Sequence, residues 1–103
     1  MNVHLIANEI STATNGTIGT SYSMIDAMKD NNNRNNIGTA QVVSAGAGIL
    51  KIQGSADGGN NWIDLASGLN SSTGKTLALM PHLRAVVTTA GAGGTTASVY
   101  VVQ

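Results

Sequence analysis

The chain contains no cysteine, no phenylalanine and a single proline, Pro81. Without cysteine there is no disulfide framework, no thiolate zinc site and no cysteine nucleophile, and synthesis in a reducing cytoplasm fits that usage. Trp62, Tyr22 and Tyr100 are the only aromatic residues. Aromatics bring the largest buried area per side chain, so the core must be built from smaller units. Charge is equally scarce, five basic residues against five acidic ones in 103. Nucleic-acid binding draws most of its affinity from a basic stripe that neutralises phosphates, and no such stripe exists here. No apolar run is long enough to span a bilayer. The first residues lack the basic start of a secretory leader, and Glu9 interrupts their short apolar run. Neither a nucleic-acid nor a membrane partner is expected.

What is present is Ala, Val, Ile and Leu, interleaved with 13 glycines and many Thr, Ser and Asn. The length suits one domain, and a domain this small buries about 60–70% of its unfolded surface. Short β-rich runs at 3–10, 40–43, 49–53, 62–65, 76–80, 83–89 and 96–102 are separated by Gly- or Asn-rich turns. The last run alternates Ala97, Val99 and Val101 against Ser98, Tyr100 and Val102. Such spacing predicts an all-β fold, an antiparallel sandwich or jelly-roll-like barrel, with turns at 45–48, 54–61, 67–74 and 90–94. Residues 1–20 read as an extended arm or edge strand that looks too polar to pack well on its own domain, in which 11–20 is a loop or loosely held extended segment. Residues 21–103 read as the sandwich domain. The stretch 21–30 is ambiguous between a strand and one helical turn, with Met24 and Met28 as core fillers. The tract 31–36, five asparagines around Arg34, reads as an exposed loop.

The most specific local pattern is Ser55, Asp57, Gly59 and Trp62. It resembles the Asp box (Ser-x-Asp-x-Gly-x-Thr-Trp), with Asn61 at the usual Thr position. The physics is that of a hairpin. Asp57 can accept from the turn's amides, Gly58 and Gly59 permit positive φ, and Trp62 opens the return strand and is expected to be buried in the core. One carboxylate and one amide make a poor calcium cage, so a structural turn is expected rather than a calcium or sugar site. Gly74-Lys75-Thr76 matches the tail of a P-loop, but the position that requires the first glycine holds Leu69 and the segment reads as a strand. His4 and His82 lack neighbouring carboxylates at ligand spacing, and the acidic residues are scattered. No nucleophile elbow exists. No enzyme activity, cofactor or metal is expected.

The hairpin of Gly54, Ser55, Asp57, Gly58, Trp62, Asp64 and Leu65 is followed by Pro81, Leu83, Arg84, Ala85, Val87 and Thr88. Over the last two-thirds of the chain this resembles small β-sandwich head decoration, or cement, proteins of tailed bacteriophages. The resemblance implies a protein made in the host cytoplasm that sits on the virion capsid surface and braces adjacent major capsid subunits. Its expected partners are the major capsid protein and itself, as a trimer first and a dimer second. A carbohydrate-binding module and a tail or fibre component are the alternatives.

Overall fold

The computed structural model describes residues 2–29, 37–44, 48–91 and 95–103. In chain order the elements are β1 (Val3–Ser11), β2 (Tyr22–Ser23), α1 (Ile25–Lys29), β3 (Ile37–Ser44), β4 (Ile49–Ser55), β5 (Ile63–Leu69), β6 (Lys75–Ala78), β7 (His82–Thr89) and β8 (Thr96–Val102). They form two four-stranded sheets, β1-β8-β3-β6 and β2-β7-β4-β5. Every pairing is antiparallel. The fold is therefore all-β, two packed sheets in the manner of a sandwich.

Period-two alternation drives the packing. Ala97, Val99 and Val101 of β8 turn inward from one sheet, beside Ala40 and Val42 of β3. Leu50 and Ile52 of β4 and Leu83, Ala85 and Val87 of β7 meet them from the other. Met24, just before α1, is fully enclosed and fills the gap that aromatics fill in richer cores. A Cβ at Gly54 would lie 2.6 Å from Leu65 Cδ1 and 2.7 Å from Met80 Sδ, so these side chains would have to shift to admit it.

The edge-strand reading of the first residues holds, whereas residues 12–20 are not the loosely held segment expected. β1 is the edge strand of its sheet, paired with β8 from Val3↔Val102 to Ser11↔Thr96 across two register shifts. The stretch that follows crosses to the other sheet and runs along β7. Gly16 N donates to Val87 O, Val87 N to Thr17 O and Gly19 N to Ala85 O, each at 2.8 Å. Thr12 at the crossing is fully buried, its amide and hydroxyl both directed at the Thr95 carbonyl. Side-chain polarity misleads here because the segment is held by its backbone. The Cα radius of gyration is 12.9 Å, close to the ~13 Å of a compact 100-residue domain.

Other boundaries shift as well. β5 runs on through Ser67 and Gly68, where a turn was expected, because register shifts against β4 and a positive φ of 68° at Gly68 absorb these residues into the strand. The reversal is shorter, closed by Asn70 Oδ1 accepting from Ser72 N at 2.9 Å and from the Thr73 hydroxyl at 3.1 Å. The helical alternative holds at Ile25–Lys29. The polar loop 31–36 and most of the turns at 45–48 and 90–94 lie outside the described residues.

Candidate functional site

The hairpin between β4 and β5 is a closed hydrogen-bond cage. Ser55, buried at the end of β4, donates its hydroxyl to Asp57 Oδ1 at 2.7 Å and accepts from Gly59 N at 2.9 Å. Asp57 Oδ1 also accepts from Asn60 N at 3.1 Å and Asn61 N at 3.0 Å, while Oδ2 accepts from Asn61 Nδ2 at 2.6 Å. Gly58 and Gly59 carry φ of 77° and 99°, the backbone the reversal needs. The Ser55 hydroxyl first, then the Asn61 side chain and the Asn61 and Asn60 amides, hold the Asp57 carboxyl far below the usual carboxylate range. A carboxylate so fully committed to its own turn has little left to offer an ion. Among the described residues no three His, Asp or Glu side chains gather as a metal site. Ser55, Asp57, Gly59 and Trp62 are thus brought together as a turn.

Trp62 does not enter the core. It is half-buried on the outer face of sheet β2-β7-β4-β5, with Nε1 donating to Gly59 O at 2.9 Å. The Arg84 guanidinium lies 4.2 Å from the centre of its ring. The physical reason is register. The reversal reaches as far as Trp62, the paired strand starts only at Ile63, and the indole folds back onto its own turn. From Arg84 a polar ladder crosses the sheet. Arg84 Nε donates to Gln53 Oε1 at 2.9 Å, and Gln53 Nε2 donates to Asp64 Oδ1 at 2.9 Å. Lys51 closes the ladder with an ion pair to Asp64 at 3.1 Å. Gln53 and then Lys51 lower the Asp64 pKa.

The two histidines lie in different sheets. His4 bridges the sheets at one end, with Nδ1 3.0 Å from the Tyr22 hydroxyl and Nε2 2.6 Å from Gln103 Oε1. A neutral ring protonated on Nε2 satisfies both contacts, accepting from Tyr22 and donating to Gln103. His82 Nδ1 is buried without a partner among the described residues. Lys75 is an exposed strand-end charge at the start of β6, not the lysine of a phosphate loop.

The opposite outer face, that of sheet β1-β8-β3-β6, is chemically different, and no local motif marks it. With Val99, Val101, Ala40 and Val42 pointing inward, register places Val3, Val102, Thr39 and Thr76 in one outward row across all four strands. Leu5, Tyr100 and Gln41 form the next, Ser98 and Val43 a third, and Ile37 lies beside Ala78 at the other edge. None of these residues is charged. Val3, Leu5, Ile37 and Val43 remain 61%, 38%, 52% and 53% exposed. Glu9, at the bulge of β1 opposite Ser98, brings one carboxylate to the end of this face, and its amide donates to Ser98 Oγ. The alternation of β8 was legible in the sequence, but joining β1, β8, β3 and β6 into one surface required the strand order.

Compared with protein-family models, curated proteins and solved structures, the chain matches none of them.

Proposed function

We propose that the protein is a structural module that works by packing against other proteins, as a capsid cement or decoration protein that braces adjacent major capsid subunits on the outside of a shell. The observation that carries the reading is the outer face of sheet β1-β8-β3-β6, on which Glu9 of the edge strand is the one charged residue among those described and four large aliphatic side chains are exposed. A domain that keeps such residues together on one face has an apolar surface suited to being covered. Interface centres are depleted in charge and enriched in aromatic and aliphatic side chains, as this face is with Tyr100 at its middle. The polar groups around it are Thr, Ser and Gln, which supply short hydrogen bonds without the desolvation cost of ions. The sequence resemblance to phage decoration proteins supplies the kind of assembly.

The test is a titration onto immature or stripped shells, with the melting of the shell followed at low and at high salt. A contact with so little charge is insensitive to screening. The expected result is a saturable rise in shell melting temperature that persists at high salt. Unchanged shell melting, or binding that disappears as salt is added, refutes the reading. Trp62 on the other face motivates the carbohydrate alternative, but its ring is already engaged by Arg84 and by Gly59. Quenching of its fluorescence by added glycans is the result that favours that alternative.

A further inference from the structure

We infer that the outer face of sheet β2-β7-β4-β5 carries a carboxylate-binding site at Arg84, which takes an Asp or Glu side chain of a partner protein. This goes beyond the packing role proposed above, because it adds a second contact surface on the other sheet and gives its chemistry. The guanidinium is held from two directions. Its Cζ lies 4.2 Å from the centre of the Trp62 ring, and its Nε donates to Gln53 Oε1 at 2.9 Å. Gln53 is fixed in turn by Asp64, whose Oδ1 accepts from Gln53 Nε2 at 2.9 Å. These contacts leave Nη1 and Nη2, a donor pair that matches a carboxylate in parallel, without an acceptor among the described residues. The one side-chain nitrogen or oxygen there that is both buried and unpartnered is His82 Nδ1, so both Nη atoms are open to solvent.

Charge points to the same ligand. Among the described residues the only ion pair joins Lys51 to Asp64, at 3.1 Å, so Arg84 has no carboxylate of its own. Asp57, in the neighbouring hairpin, spends its carboxylate on Ser55, Asn60 and Asn61. A guanidinium is weakly hydrated, and stacking on an indole leaves its edge donors free for a planar acid. Fixing the long side chain beforehand spares the contact the rotamer entropy that an unheld arginine loses. Trp and Arg are also among the residue types that carry most of the energy at protein contacts. A single ion pair adds little salt dependence to such a contact.

The experiment titrates the full chain with two blocked amino acids, N-acetyl-glutamate methylamide and N-acetyl-glutamine methylamide, at constant ionic strength. Trp62 is the only tryptophan, so its Nε1–H gives a single NMR signal, read together with that of Arg84 Nε–H. The glutamate probe is expected to shift both signals saturably, with a dissociation constant on the order of tens of millimolar for one charge-assisted contact. The glutamine probe leaves them in place. Arg84→Met abolishes the response. Arg84→Lys keeps the charge but loses the fork, and weakens the response at least about 3-fold. Circular dichroism verifies that both variants fold. Equal shifts with the two probes, a response that never saturates, or one that neither variant weakens overturns the site. Shell melting is a separate readout. If the glutamate probe binds as described while shells melt unchanged, the carboxylate site stands and the cement role falls. If shells are stabilised while the probe finds no site, the cement role stands and the carboxylate site is wrong.

Discussion

Gly54→Ala places one methyl group where the structure has no space for it. The new Cβ would stand 2.6 Å from Leu65 Cδ1, 2.7 Å from Met80 Sδ and 3.0 Å from Met80 Cβ. Ordinary contacts between such atoms are about 3.5–4.0 Å, so both neighbours must retreat by about 1 Å. Leu65 sits at a register shift in β5, and Met80 lies between β6 and β7. Both are half-buried and can swing outward, at the cost of apolar contact. Overpacking of this kind costs about 1–3 kcal/mol. Replacing glycine lowers the entropy of the unfolded chain and returns about 0.4–1 kcal/mol. The net loss is about 1–2 kcal/mol, a drop in melting temperature of about 4–16 °C for a domain of this size. Gly74→Ala is the control, because its Cβ would meet nothing closer than Ala40 O at 3.6 Å. Thermal and urea unfolding of the two variants, with a Met80→Ala cycle to read their coupling, decides the matter. Equal stability of the two alanine variants, or a cycle with no coupling between residues 54 and 80, refutes the packing argument.

At Asp57 the folded carboxyl is more acidic than its ordinary value of 3.8. Its contribution to stability is therefore complete above the unfolded pKa and lost as pH falls below it toward the folded value. Melting temperature followed from pH 7 down to about pH 2 should fall less steeply for Asp57→Asn than for the wild type below about pH 4, where unfolded carboxyls begin to take up protons. Parallel acid limbs contradict the cage. Between Trp62 and Arg84, a double-mutant cycle with Trp62→Leu and Arg84→Met should give a coupling of about 0.5–1 kcal/mol, and Trp62 emission should be partly open to acrylamide. A coupling of zero, or full protection from quencher, contradicts the surface placement.

The sheets were readable because alternation is a local signal. β8 shows it without interruption, and β4 shows it through Leu50 and Ile52. The hairpin cage was readable for a related reason, since Ser55, Asp57, Gly58 and Gly59 carry their turn chemistry within a few residues. The fate of Trp62 was not readable. A lone tryptophan in a chain poor in aromatics reads as core, and only the register of β5 against β4 shows the indole turned back onto Gly59. The polar stretch after β1 was misread because its anchorage is through main-chain groups on β7, which every sequence possesses.

By itself, the sequence determined the class of fold and the kind of surface available. Scarce charge, absent cysteine and β-branched runs broken by glycine and asparagine lead to packed sheets whatever their order. The strand order was decided only by tertiary structure, and with it the division of the described residues into a face crossed by Arg84, Lys51 and Asp64 and a face whose one charged residue is Glu9. Val3, Val102, Thr39 and Thr76 come from four strands spread over almost the whole chain, yet register sets them side by side across one sheet. Pairings between residues so far apart leave no trace in local periodicity, because each strand's pattern records which side faces the core and nothing about which strand lies beside it.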